Sequence, residues 1–192
     1  MSTGQNNNVE QRASFPWYLW LLISALLVGL DQFTKIYANA ELVLHRPIPI
    51  SSFMNFTLAY NSGAAFSFLS DAGGWQRWLF TALSTVVSVV LIVWLKRMPE
   101  QQRMLPTAVA LILSGAIGNL IDRVLYGYVI DFIQLYYSSD SCLIGFYGLQ
   151  GRCYWPNFNI ADSAISVGAG LLILQSFFGA SEADEPADKT AN

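Results

Sequence analysis

The chain alternates between long apolar runs and shorter polar connections. Uncharged, mostly apolar windows extend from Ala13 to Leu30, Trp78 to Leu95, Met104 to Ile121 and Ser163 to Ser181. Each approaches the roughly 20 residues that carry a helix across a hydrocarbon core about 30 Å thick, so the pattern predicts four transmembrane helices. The first is expected to start at Pro16-Trp17, with Trp17, Tyr18 and Trp20 suited to an interface, and to end at Asp31-Gln32-Phe33-Thr34-Lys35. Between the first two runs the period changes. Met54, Phe56, Leu58 and Tyr60 alternate with Asn55, Thr57, Ala59 and Asn61, as in a half-buried strand. Pro47 and Pro49 precede this strand, and Asn61-Ser62-Gly63 supplies turn chemistry after it. Ala64-Ala65-Phe66-Ser67-Phe68 is expected to return as a second strand, before a turn at Asp71-Ala72-Gly73-Gly74.

A small sheet over about 42–70, with one apolar and one polar face, would form a platform along which an extended peptide can lie. A purely structural loop is the competing reading. The stretch from Phe132 to Pro156 is aromatic (Tyr136, Tyr137, Phe146, Tyr147, Tyr154, Trp155) and is expected to form a cover over about 132–157.

Composition sharpens the membrane reading. The 192 residues are 54% hydrophobic and 12% charged, against about 25% charged in soluble domains. The net charge of −3 owes much to the tail acids Glu182, Asp184, Glu185 and Asp188, and no basic cluster points to nucleic acid. Ala38-Asn39-Ala40 resembles a leader cleavage site, but the long polar head and the intervening Asp31 and Lys35 favour a retained first helix. Lys96, Arg97 and Arg103 crowd one short connection, which favours a cytoplasmic loop and puts both termini on that side. The polar residues around Asp31, Asp122 and Asp162 then all fall at the outer face.

The expected fold class is therefore an all-α membrane protein. Four transmembrane helices carry a small extracytoplasmic β-sheet after helix 1 and an outer loop or lid before helix 4. Residues 1–192 form a single integral domain, with a core over 16–180 and disordered tails at 1–14 and 181–192.

Candidate chemistry rests on carboxylates. His45 is the lone histidine, no His-Glu-x-x-His pair occurs, and no Gly-x-Ser-x-Gly frames a serine nucleophile. The third run ends in Gly118-Asn119-Leu120-Ile121-Asp122-Arg123, followed by Val129-Ile130-Asp131-Phe132, and the fourth opens with Phe158-Asn159-Ile160-Ala161-Asp162. A charge at mid-membrane costs about 2.5–3.5 kcal/mol on insertion scales, so such residues are paired or functional. If Asp131 and Asp162 meet, one holds a proton near neutral pH, and the pair supplies an acid and a base for peptide hydrolysis. A proton-coupled transporter would use the same acids, and a packing salt bridge with Arg123 would account for them without chemistry. The residues alone leave all three open. Asp31 and Lys35, four apart, read as a helix-end ion pair. Cys142 and Cys153 could close a loop by a disulfide on an oxidising side, contributing on the order of 2–3 kcal/mol, or remain free thiols.

These motifs together resemble the lipoprotein signal peptidases, the bacterial signal peptidase II family. The similarity spans about residues 16–180. It is carried by Asp31-Gln32-x-x-Lys35, Asn61-Ser62-Gly63-Ala64-Ala65-Phe66, Gly118-Asn119-x-x-Asp122-Arg123, Val129-Ile130-Asp131-Phe132 and Phe158-Asn159-x-Ala161-Asp162. The resemblance implies that Asp131 and Asp162 are the catalytic aspartates. It further implies that Asn61, Gly63, Asn119, Asp122, Arg123, Asn159, Asp31 and Lys35 support the site or bind substrate. It implies an inner-membrane enzyme with its site at the periplasmic face. The expected substrates are diacylglyceryl prolipoprotein signal peptides, held among membrane lipid and cut just before the lipidated cysteine. It also implies sensitivity to globomycin-type inhibitors and no cofactor or metal. Nothing in the chain demands an oligomer, so a monomer is expected. One departure stands out: the stretch between Asp131 and Phe158 is longer than usual for the family, and its cysteine pair is not part of the family pattern.

Overall fold

The computed structural model describes residues 15–63 and 74–179. In order these form α1 (Trp17–Glu41), β1 (Ile48–Pro49), β2 (Met54–Asn61), α2 (Trp75–Lys96), α3 (Met104–Leu125), β3 (Val129–Ser138), β4 (Tyr147–Leu149), β5 (Arg152–Tyr154) and α4 (Ile160–Gly179). The four helices are long and apolar enough to cross a membrane. Both tails, the strand expected at Ala64–Phe68 and most of the turn after it lie outside the described residues.

The bundle is built around α3, which packs against each of the other three helices. Its sequence allows this because its inward positions are small. Ala108, Ala110, Ser114, Gly115, Ala116 and Gly118 are buried, and small residues let backbones approach where lipid gives no hydrophobic drive to association. A Cβ on Gly115 would run into the Ala161 carbonyl of α4, and one on Gly118 would lie 2.5 Å from Asp31 Oδ2 of α1. The Ser24 hydroxyl of α1 reaches the Ala110 carbonyl at 2.9 Å. At the end of the bundle away from the sheet, Trp20, Leu91, Leu95, Met98, Val109, Ala110 and Leu113 form the apolar core. The outward stripe of α1 (Leu22, Leu26, Leu30, Phe33, Ile36, Tyr37) is exposed, as a face against acyl chains should be.

One expectation changes here. Helix α1 does not end at Lys35 but continues to Glu41, with Ala38-Asn39-Ala40 inside it. Asp31 and Lys35 are buried in the bundle and so do not terminate the helix, while Phe33, Ile36 and Tyr37 extend its apolar flank. The aromatic segment expected as a cover is built into the sheet. Its β3 is the central strand of a five-stranded antiparallel sheet of order β1-β2-β3-β5-β4, and it is the partner of β2.

Two polar positions of β2, Asn55 and Thr57, are buried, as is the apolar Leu58. Asn55 and Thr57 both donate to Gln134 Oε1 at 3.1 Å, and the Gln134 amide donates to Asn157 Oδ1 at 3.1 Å. Beside an apolar bundle, polar side chains find partners only inside the protein, so Asn55 and Thr57 face inward, and the alternation breaks where the register shifts between Phe56 and Ala59.

The end of α3 is fixed from α2. Arg77 donates to the Arg123 and Val124 carbonyls, each at 2.9 Å, placing a cation at the negative end of the helix. Gly127, at φ +87°, then turns the chain into β3. At the far end of the sheet Cys142 and Cys153 form a disulfide, Cα–Cα 5.4 Å.

Gly118→Ala should destabilise the bundle by about 1–3 kcal/mol. Gly170→Ala, where a Cβ meets open space, should leave it intact. Thermal unfolding of both variants in detergent measures the difference, and equal midpoints would contradict the close α1–α3 contact.

Candidate active site

At the junction of bundle and sheet, Lys35 is only 1% exposed. Its ammonium has three donors and meets three acceptors: Asp31 Oδ2 at 2.8 Å, Asn119 Oδ1 at 2.9 Å and Asp122 Oδ2 at 3.0 Å. The expected helix-end pair is thus a buried ion centre joining α1 to α3. Each carboxylate then uses further lone pairs to hold a neighbouring element. Asp122 Oδ2 accepts from the Ile130 amide at 3.0 Å, fixing the start of β3. Asp31 Oδ1 accepts from the Ala161 amide at 2.9 Å, fixing the first turn of α4. Gln32 bridges Asp122 Oδ1 at 2.9 Å and the Gly118 carbonyl at 3.1 Å. The residue directly after Ile130 is Asp131, and the one directly after Ala161 is Asp162.

Asn159 joins these two acids. It caps α4 in reciprocal fashion: its Oδ1 accepts from the Asp162 amide at 2.9 Å, and its own amide donates to Asp162 Oδ2 at 3.2 Å. Its side-chain nitrogen donates to Asp131 Oδ1 at 2.7 Å. Asn61 donates to Asp131 Oδ2 at 3.1 Å, and Asn119 to Asp162 Oδ1 at 2.8 Å. Every oxygen of the two carboxylates therefore accepts a hydrogen bond from a neutral donor.

A shift in register brings Asn61 there. Met54–Phe56 pair with Leu135–Ile133, but beyond a bulge Ala59 faces Asp131 and Asn61 faces Val129. Without that extra residue Leu58 would oppose Asp131 and Asn61 would point to the other face, because a one-residue slip inverts a strand. With it, small Ala59 leaves room beside the carboxylate.

Both acids line one cavity of about 1390 Å³, together with Asn61, Asn119 and Arg123. Asp131 is 2% exposed. Burial, and then the charge of Asp162, push its carboxyl up to about 8, against the opposing hydrogen bonds from Asn61 and Asn159 and the charge of Lys35. Arg123 is not occupied as a salt-bridge partner of this pair. Its guanidinium donates to the Gly63 carbonyl at 3.3 Å and stands over the Phe80 ring at 5.3 Å. Gly63 is held in turn by its amide donating to Asn61 Oδ1 at 3.1 Å.

The arrangement brings together Asp131, Asp162, Asn61, Gly63, Asn119, Arg123 and Asn159 around the cavity, while Asp31, Lys35 and Asp122 lie buried behind it. The Cys142–Cys153 bridge stands apart, at the outer end of the sheet. Gln32 and Gln134 carry connections that sequence reasoning did not assign. The signal for Gln134 was an amide placed between Ile133 and Leu135, the one non-aromatic polar residue in the run Phe132–Tyr137.

The chain matches the family model described as signal peptidase (SPase) II over residues 23–178. It belongs to the signal peptidase II family. Curated relatives named lipoprotein signal peptidase include one from Acinetobacter baumannii, 47% identical over 176 residues (90% of this chain, 93% of the relative). Another, from Teredinibacter turnerae, is 51% identical over 160 residues, 83% of this chain and 88% of that protein. The fold is similar to a solved bacterial membrane enzyme with TM-score 0.74 and 27% identity, covering 94% of this chain and all of the other. Membership makes the chain a peptidase and, with four spanning helices, a multi-pass protein of the bacterial inner membrane.

In this family member, Lys35→Met should destabilise the fold by about 3–5 kcal/mol, since it leaves buried carboxylates without their counter-charge. Unfolding in detergent would measure it, and a wild-type midpoint would show that the ion centre contributes nothing.

Proposed function

We propose that this chain is an aspartyl endopeptidase that removes the signal peptide from diacylglyceryl-modified prolipoproteins, cleaving just before the lipidated cysteine. The observation that carries the reading is the convergence of Asp131 and Asp162 on one cavity, with Asn159 as their common partner. The name shared by the relatives, lipoprotein signal peptidase, supports the substrate class.

The chemistry follows from one shared proton. The ionised member of the pair takes a proton from water as the water oxygen attacks the scissile carbonyl carbon, and the protonated member hydrogen-bonds the developing oxyanion. On collapse the C–N bond breaks and the departing cysteine nitrogen receives a proton from the pair, which returns to its singly protonated state. Asn61, Asn119 and Asn159 hold the carboxyls in place, and Arg123 adds a positive field at the cavity wall. One chain carries both acids, so a monomer suffices, and a globomycin-type cyclic peptide would compete for the same cavity.

The orientation follows from charge. Lys96, Arg97 and Arg103 lie at the end of the bundle opposite the sheet, and the positive-inside rule makes that end cytoplasmic. Both termini then lie in the cytoplasm, and the cavity opens at the outer face, where the scissile bond of a membrane-held signal peptide emerges.

Purified protein should cleave a diacylglyceryl prolipoprotein in detergent with or without a chelator. Asp131→Asn and Asp162→Asn should each fold yet lose on the order of 10²–10⁴-fold in rate; near-normal turnover by either variant would overturn the assignment. Because the raised value of Asp131 lies near 8, the pair loses its shared proton above that pH. The rate should therefore fall as pH rises through about 8, and a rate that stays flat well above it would exclude a shared-proton dyad.

A further inference from the structure

The proposed chemistry uses the centre of the cavity and leaves its outer reach unexplained. The cavity is bordered by His45 and Pro47, just before β1, and by Phe146, Tyr147 and Leu149 around β4, as well as by the two acids. Strands β1 and β4 are the opposite edges of the sheet. The cavity therefore extends from the segment that leads into one edge of the sheet to the β4 edge, as a trough with Asp131 of β3 and Asp162 of α4 between them. The β4 wall belongs to the segment that is longer than the family pattern, and it is firmly built. The Cys142–Cys153 bridge ties its base, Gln134 donates to the Tyr147 hydroxyl at 3.3 Å, and Phe146 packs edge-on against Trp155 at 5.1 Å and against Tyr137 at 5.1 Å. No charged residue occurs between Asp140 and Arg152.

We infer that Phe146, Tyr147 and Leu149, with Trp155, form a substrate subsite for the first residues after the lipidated cysteine, and that it favours uncharged side chains there. The inference rests on the proposed peptidase reading. The cysteine is anchored by its acyl chains among the helices, so only the polypeptide beyond it is free to leave across the sheet. Strand β4 joins through β5 to the far end of β3 at Tyr136–Ser138, but the Tyr147 ring reaches back so that its hydroxyl meets Gln134, three residues along β3 from Asp131 and so roughly 10 Å away, the reach of about three extended residues. The residues that meet this wall are therefore those about three positions past the cut. An uncharged aromatic wall with its polar groups already partnered has nothing to compensate a charge desolvated against it.

The test compares two diacylglyceryl peptides, one ending directly after the cysteine and one extended by about five residues. In the Phe146→Ala/Tyr147→Ala double variant, the ratio of kcat/KM for the extended peptide to that for the short one should fall about tenfold. In Ile144→Ala, a neighbouring side chain that is 102% exposed and outside the cavity lining, the ratio should hold. An unchanged ratio in the double variant would overturn the subsite, as would an equal fall in Ile144→Ala. A second readout does not depend on turnover. A benzophenone side chain at the third residue of the extended peptide should crosslink to the segment 145–155 of the Asp131→Asn variant, and crosslinking elsewhere would overturn the subsite. Failure of the wild type to cleave either peptide, with that crosslink formed, would count against the peptidase reading and not against the subsite.

Discussion

The buried ammonium of Lys35 is the contact on which the arrangement depends. Its acceptors lie on α1 and α3, and the same acceptors reach outward to β3, to α4 and to Asp162. A lysine in an apolar bundle is costly unless its donors are all engaged. Here the three acceptors that satisfy it are also the groups that register the sheet and the last helix against the bundle. Position is thus passed from one charge to two backbone amides, which lie one residue before Asp131 and Asp162.

That layout separates two kinds of carboxylate. Asp31 and Asp122 sit against the Lys35 ammonium and accept from backbone amides, which fixes them between elements. Asp131 and Asp162 are surrounded by the amides of Asn61, Asn119 and Asn159 and by one another. The amides of Asn61 and Asn159 only partly oppose burial and the charge of Asp162, which push the Asp131 carboxyl up to about 8. Four aspartates within one junction therefore divide by their nearest partners into two that meet the Lys35 cation and two that meet asparagine amides.

The sheet serves the same end from the other side. It places Gln134 as a buried hub for Asn55, Thr57 and Asn157, which lines part of the cavity with a polar network, and the bulge in β2 turns Asn61 toward Asp131. The segment after β3 extends the wall without disturbing that network, since β4 and β5 add at the free edge of the sheet. Its disulfide closes only the added hairpin, so variation there leaves the ion centre untouched.

By itself the sequence determined the four helices, because lipid fixes both their length and their lack of charge, and it marked the polar motifs that such a setting tolerates only for a reason. The period of two in residues 54–61 was enough to place β2, and the order of the motifs was enough to indicate the family. Tertiary structure decided the rest. Asp31 and Lys35, four apart on a helix, look the same as a surface pair, and only the approach of Asp122 and Asn119 across Gly118 makes them a buried centre. The inward turn of the polar face of β2 depended on which side the bundle occupies, and the orientation of Asn61 on a bulge that no local pattern announces. That Asp131 and Asp162 share a partner is a non-local fact, because Asn159 links a strand to a helix through contacts that sequence spacing does not encode.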